Sequence, residues 1–394
     1  MRIGVYGGAF NPIHNTHIEI AKAAKEQFNL DLVYFLITGT PPHKNTTESV
    51  ADLCRLEMVR LAIEGIDYFK VDDREFYRAG KSYSYLTLTE LHNEHPNDEL
   101  FFIMGSDSLV NFDNWVKPEV ISQYCTVLCA PRIGDEISVI EDAISKYKKA
   151  YAGDFCLIVY KANAVASSTI RSNLGKDDSL KAILPAGVYE YIDSHNLYSP
   201  YIYSMADVRR LDDEMKKELK PSRYVHTLGV AHMAYDLAVK WNYPAVTAMI
   251  AGMLHDCAKC ISDEKRINVC EKHNIPITDI EYKYPHLLHG KVGAYYCSDK
   301  YQVFDPQIAH AIEVHTTGCP AMNLLDKIIF VADYLEPGRD KQPRLDILRS
   351  MAFMDLDRCV YMILEDSVNY LNESPDMVDP TTIDTFNYYK NQFK

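Results

Sequence analysis

The sequence predicts two folds in series, an α/β domain built on a parallel sheet followed by an all-α domain. Three observations predict this. Over the first 200 residues, short apolar runs alternate with amphipathic stretches, which is the rhythm of a parallel sheet with crossover helices. From about Asp207 onward the strand signals vanish and long helical patterns take over. The histidines divide the same way, with 8 of 14 at or beyond His226.

The elements follow in order. Strands are expected at Ile3–Tyr6, Leu32–Ile37, Lys70–Asp72, Leu100–Met104, Thr126–Cys129 and Cys156–Val159, each a short apolar run. Between them, Ile18–Phe28, Leu53–Glu64 and Tyr85–Glu94 carry apolar residues at helical spacing. The second half is expected to hold helices at Arg223–Trp241, Ala245–Ala258, Leu287–Lys300, Pro306–Val314, Leu324–Tyr334 and Leu345–Leu371. The Tyr- and Pro-containing stretch LYSPYIYSM reads as the junction. The expected division is therefore residues 1–196, a linker at 197–205, and residues 206–394.

Composition narrows the class. A chain of 394 residues that is 47% hydrophobic and 24% charged is an ordinary globular protein of two or three domains. No apolar run is long enough for a membrane span, and MRIGVYGG lacks the core of a signal peptide, so the cytoplasm is the expected compartment. The net charge of −14 is spread over both halves, which argues against a nucleic-acid partner. Ten cysteines follow no framework of spacings. The one CxxC, Cys257 and Cys260, has no second pair and is expected to be structural.

The first constellation is Gly7–His17, GGAFNPIHNTH, between a strand and a helix. Gly7 and Gly8 allow the backbone to approach a ligand closely, and the helix start offers free N–H groups to a phosphate. His14 and His17, three apart, share a face and can donate to phosphate oxygens. No covalent nucleophile stands nearby, which fits direct displacement at phosphorus. The segment Gly80-Lys81-Ser82 is not a Walker A loop, because Glu75 stands where that motif needs glycine.

GGAFNPIHNTH resembles the GGxFxPxHxGH signature of HIGH-type nucleotidyltransferases. Further segments narrow the resemblance to the nicotinate-mononucleotide adenylyltransferase family: Thr40–Lys44 (TPPHK), Gly80–Thr87 (GKSYSYLT), Gly105–Trp115 (GSDSLVNFDNW) and Val165–Arg171 (VASSTIR). The resemblance implies a Rossmann-like domain transferring AMP from Mg²⁺-ATP to nicotinate mononucleotide. It gives His14 and His17 the ATP phosphates, with Ser167, Ser168 and Arg171 on the opposite side and Lys44 adding charge. Gly7, Gly8, Phe10 and Gly105 join the nucleotide loops, and Asp107 contacts the ATP ribose or adenosine end. Trp115 stacks on the pyridine ring, and Tyr83 and Thr87 line the acceptor pocket. Two positions depart from the family. Thr16 replaces the glycine against which adenine packs, and is expected to crowd the base. Ala166 replaces the first serine of the closing motif.

The second constellation lies in the helical half: His226, His255 and Asp256, His289, His315 and Asp333. Imidazoles with carboxylates suit a first-row transition metal. Six ligands exceed the three usual at a single catalytic zinc, so two metals sharing Asp256 use them more naturally. The pair His255-Asp256 is expected inside an otherwise apolar helix, AVTAMIAGMLHDCAK, where burial without a partner would cost several kcal/mol.

The order H…HD…H…H…D resembles the HD phosphohydrolase superfamily. The words LLHGK, HTTG and KIIFVADYLEPGR are similar to small bacterial hydrolases that split diadenosine tetraphosphate into two ADP with a di-iron centre. That resemblance implies metal ligation by His226, His255, Asp256 and Asp333, with His289 and His315 completing a second metal site or binding phosphate, and Asp256 also catalytic as the bridge. It makes Arg223, Lys259 and Arg339 the phosphate contacts. The joint expectation is a bifunctional enzyme with no nucleic-acid or membrane partner, homo-oligomerisation being compatible with it. The alternatives are an adenylyltransferase with a nucleotide-sensing helical module, or another acceptor such as nicotinamide mononucleotide or phosphopantetheine.

Overall fold

The computed structural model describes residues 1–39, 52–78, 80–151, 153–161, 166–174, 178–371 and 379–393. The chain divides into two compact units, Met1–Asp193 and Ser194–Lys394. The stretch 197–205 falls within the second unit, where Tyr203 packs against the core. None of the ten cysteines is in a disulfide, and no described helix is long and apolar enough to cross a membrane.

The first unit carries six parallel strands: β1 (Arg2–Gly8), β2 (Leu32–Ile37), β3 (Phe69–Asp72), β4 (Glu99–Gly105), β5 (Cys125–Ala130) and β6 (Phe155–Leu157). They lie in the order β3-β2-β1-β4-β5-β6. Runs such as LVYFLI in β2 are apolar on both sides because helices cover both faces of a parallel sheet. The strand order reverses between β1 and β4, which opens a crevice beyond their carboxyl ends. Gly7–Gly8 and Gly105 are the last residues of those two strands, so the fold aims both glycine turns at that crevice. The last strand differs from the expected Cys156–Val159: it stops at Leu157, and Val159 is largely exposed.

The second unit is helical around one apolar core. Two expectations need correction. The helix expected over Ala245–Ala258 ends at Leu254, so His255 and Asp256 occupy the turn that follows it. The helix expected over Leu345–Leu371 is two helices, Leu345–Ala352 and Leu356–Leu371. Met351 O accepts both Met354 N–H and Asp355 N–H, which closes the first. Asp355 Oδ1 accepts Arg358 N–H and starts the second. Helices not anticipated include Met205–Glu218, started by Ser204, whose hydroxyl oxygen accepts Ala206 N–H, and Pro380–Gln392.

Candidate functional sites

In the first unit, the loop after β1 turns sharply. Phe10 takes a positive φ of 44° and folds its buried ring back over Gly8, whose missing Cβ would lie 2.9 Å from that ring. Phe10 therefore shapes the loop from below, packing edge-on against His17 at 5.2 Å. Helix Asn15–Gln27 starts here, and His14 N–H donates to His17 Nδ1 at 3.2 Å. An Nδ1 that accepts leaves Nε2 of neutral His17 as the protonated, donating nitrogen. The two ring centroids lie 3.8 Å apart with the planes tilted by 33°. Burial, with Arg132 adding to it, pushes His14 down to about 4. Burial, His14 and Arg132 hold His17 well below its ordinary value. At neutral pH both are uncharged hydrogen-bonding groups.

The closing motif docks on this loop. Ser167 Oγ donates to Pro12 O at 3.0 Å and Arg171 Nη1 to Asn11 O at 2.7 Å, while Ser168 is exposed. Across the crevice, Asp107 pairs with Arg132 at 3.2 Å. Gly105 makes room for that pair, since a Cβ there would lie 2.8 Å from Asp107 Oδ1. Thr16 is buried. Trp115 is half-buried against Phe102 and Phe112. Tyr83 is half-buried. Thr87 has no exposed surface and donates to Glu75 Oε1 at 2.7 Å while accepting from Arg78, so its hydroxyl is already committed. Lys44 lies outside the described residues.

Sequence reasoning missed two arginines here. Arg132 follows β5, and its charge acts on both histidines. Buried Arg55 donates to Ala9 O and Thr38 O, both at 2.8 Å, and ties the glycine turn to the end of β2. An isolated arginine in a helix gives no local signal of such carbonyl contacts.

In the second unit, all six expected ligands converge. His226 comes from helix Pro221–Lys240, His255 and Asp256 from the turn after Ala245–Leu254, and His289 from the first turn of His289–Asp299. His315 follows Pro306–Val314, and Asp333 lies in Leu324–Leu335. Three overlapping triads, His226–His255–Asp256, His255–His315–Asp333 and Asp256–His289–His315, have ligand atoms within 4.8 Å of one another. The oxygens of Asp256 face different histidines. Oδ2 lies 3.8 Å from His226 Nε2 and 3.4 Å from His255 Nε2; Oδ1 lies 3.4 Å from His289 Nε2 and 3.8 Å from His315 Nε2.

The tautomers follow from the outer contacts. Nδ1 of His255, His289 and His315 each lies 2.7 Å from a main-chain carbonyl, of Gly252, His286 and Ile312. A carbonyl only accepts, so each Nδ1 carries the proton and each neutral Nε2 presents a lone pair inward. His226 Nε2 stands 3.0 Å from Asp333 Oδ1, and the Nε2 atoms of His289 and His315 are 3.1 Å apart. Nε2 of His226 and His255 and Oδ1 of Asp256 are buried without a hydrogen-bond partner. Lone pairs crowded in this way repel one another unless a cation sits among them, so the residues fit a divalent metal centre.

The charge pattern agrees. Burial pushes the Asp256 carboxyl up, but His255, His315 and His289 outweigh it and hold it well below the usual range. Burial likewise raises Asp333, and the contact with His226, then His255, overrides it. Three cations rim the centre, each about one-third exposed: Arg223 Nη1 on Asp256 Oδ2 at 2.7 Å, Arg339 Nη2 on Asp333 Oδ1 at 2.8 Å, and Lys259 Nζ 3.1 Å from His289 Nε2. Burial lowers Lys259 from its ordinary value. Cys257 is buried, Cys260 packs against the core, and neither belongs to these triads. Glu336 and Thr316 were not anticipated. Glu336 Oε1 is 3.1 Å from His226 Nδ1, and Thr316 Oγ1 is 3.2 Å from Nε2 of both His289 and His315. Glu336 stands in the motif LEPGR, three residues after Asp333, which was the available signal.

Comparison with known proteins separates along the same lines. A cytidylyltransferase-like family model matches residues 5–173, and an HD domain model matches residues 223–338. A protein of Citrifermentans bemidjiense, named a probable nicotinate-nucleotide adenylyltransferase, is 39% identical over 215 residues, which is 50% of this chain and 98% of the relative. A Mycoplasma genitalium protein named a probable nicotinate-nucleotide adenylyltransferase/Ap4A hydrolase is 28% identical over 341 residues, covering 86% of this chain and 89% of its own. Among solved structures, a chain from Clostridium acetobutylicum, described as a predicted HD superfamily hydrolase involved in NAD metabolism, is 34% identical. It is matched over its whole length by 49% of this chain, with a TM-score of 0.46.

Proposed function

The chain belongs to the nicotinate-nucleotide adenylyltransferase family through its N-terminal half, and from that premise we propose a bifunctional enzyme. Residues 1–196 transfer AMP from Mg²⁺-ATP to nicotinate mononucleotide, giving deamido-NAD and pyrophosphate. Residues 206–394 hydrolyse diadenosine tetraphosphate to two ADP. The observation that carries the pairing is that one chain holds both a docked closing motif on the histidine loop and six converged ligands. The Mycoplasma relative bears both activities in its name over a comparable span.

For the transfer, neutral His17 donates through Nε2 to a triphosphate oxygen, and His14 beside it does the same as charge develops. Arg171, Ser167 and Ser168 meet the phosphates from the opposite side, with Lys44 and Arg132 as further cations. Gly7, Gly8 and Gly105 let the nucleotide lie against the strand ends. Asp107 takes the ribose or adenosine end. Trp115 offers a half-exposed aromatic face to the pyridine ring, with Tyr83 nearby in role. Thr87 supports the acceptor pocket through Glu75 and Arg78 rather than by direct contact.

For the hydrolysis, His226, His255, Asp256 and Asp333 would hold one metal, and His289 and His315 with the other oxygen of Asp256 a second. Two transition-metal ions held there, iron in the family that this half resembles, would supply Lewis-acid polarisation of phosphoryl oxygens and activation of an attacking water. Arg223, Lys259 and Arg339 bind the phosphates at the rim and orient the tetraphosphate. Ten cysteines without a disulfide suit a reducing cytoplasm.

The test is a product assay of the full chain. ATP is supplied with nicotinate mononucleotide, nicotinamide mononucleotide or phosphopantetheine in turn, and diadenosine tetraphosphate is supplied separately. Deamido-NAD from the first acceptor and ADP from the last reaction are expected. Preference for another acceptor, or no ADP from metal-loaded protein, overturns the corresponding half.

A further inference from the structure

Three of the four inward-facing histidines give their Nδ1 proton to a neutral main-chain carbonyl. His226 differs, for its Nδ1 lies 3.1 Å from the Glu336 carboxylate. The slot that holds this carboxylate is built from missing side chains. Glu336 is 4% exposed, and its Oε2 accepts Gly338 N–H at 2.6 Å. A Cβ on Gly338 would lie 3.0 and 3.1 Å from the two oxygens, and a Cβ on Gly229 would lie 2.4 Å from Oε2. Gly229 sits inside the Pro221–Lys240 helix, one turn after His226. Glycine weakens a helix interior relative to alanine, so the position is given up to make room for an acid.

We infer that Glu336 is a positioning residue that makes the His226 side of the centre the tighter divalent-cation position. This rests on the metal-centre reading above and deepens it. A carboxylate accepting from Nδ1 fixes the ring and pushes electron density toward Nε2, which a neutral carbonyl does more weakly. The surrounding charges point the same way. The His226 side has Asp333 and one oxygen of Asp256, with Arg223 and Arg339 offsetting part of their charge. Glu336 restores negative charge from behind the imidazole. On the His289–His315 side the other oxygen of Asp256 lies 3.4 Å from His289 Nε2, Asp333 groups with His315 but makes its 3.0 Å contact with His226, and Lys259 Nζ stands 3.1 Å from His289 Nε2.

The experiment strips the full-length protein of metal and titrates it with Mn(II) by equilibrium dialysis, for wild type, Glu336→Gln and Gly229→Ala. The second variant evicts the carboxylate sterically and removes no polar group. The tightest Mn(II) equivalent is expected to weaken 10- to 100-fold in both variants, the usual effect of losing such an outer partner. In the metal-free protein, the far-downfield Nδ1 proton of His226 in the NMR spectrum should shift or vanish in both. A fold-stabilising role alone would lower the melting temperature without selecting one equivalent or that proton. An unchanged tightest equivalent in a folded variant overturns the inference, as does an effect confined to the weaker equivalent. If Gly229→Ala fails to fold, Glu336→Gln alone decides between these outcomes. A wild-type protein that takes up no Mn(II) overturns the metal-centre reading itself, and the inference with it.

Discussion

His17 is held by its neighbour's amide, so its donating nitrogen is chosen before any nucleotide arrives. A prearranged donor to developing phosphate charge is worth roughly 3 kcal/mol. His17→Ala should therefore lower adenylyl transfer at least ~100-fold and leave hydrolysis intact; steady-state rates of both reactions check this. His14 makes a second prediction. Its folded value of about 4 lies below the ordinary value of about 6.5. The unfolded chain thus binds the proton first as pH falls. Stability present above about pH 6.5 is lost progressively down to about pH 4, on the order of 3 kcal/mol. The His14 Cε1 proton should titrate near the lower figure, and His14→Gln should flatten the acid side of the urea-unfolding profile. At this scale the ligands were legible because their residue types are costly to bury. Arg55, Arg132 and Glu336 were not, because their roles are contacts with carbonyls, rings and carboxylates far away in sequence. Glu336 meets a histidine 110 positions earlier.

Helix contacts decide where those side chains stand. Helices Pro221–Lys240 and Ala245–Leu254 approach so closely that a Cβ on Gly252 would lie 2.9 Å from Ala231 Cα. The same glycine's carbonyl accepts His255 Nδ1. Gly252→Ala should cost about 1–3 kcal/mol by overpacking and reduce bound metal by tilting His255. Thermal unfolding and metal analysis of one sample test both effects. Most elements were readable from apolar periodicity, and the Pro306–Val314 helix was read to its ends. The break at Phe353–Asp355 was not, because hydrophobic spacing continues through it. Only the competition between Met351 O and the Asp355 cap ends one helix and begins the next.

Each unit has its own apolar core and its own site. Asp256→Ala should therefore abolish diadenosine tetraphosphate hydrolysis and lower metal content, with transfer unchanged within about twofold. Unchanged hydrolysis at equal metal content would sink the bridging role of Asp256. The division itself was legible because a strand-rich and a histidine-rich half differ in composition. Its edge was less so, because the Tyr-rich stretch that reads as a joint supplies Tyr203 to a core.

Three of the four inward histidines owe their orientation to carbonyls, and the fourth to the Glu336 carboxylate, all of which any folded copy already possesses. The cage is thus assembled before its guest. Such a cage discriminates poorly by shape among first-row ions and follows their intrinsic order of affinity and their supply. Protein grown on different metal supplements should emerge carrying different ions in one and the same scaffold. The element found on purification will then record the history of the culture, and only reconstitution ion by ion will reveal which of them the chemistry requires.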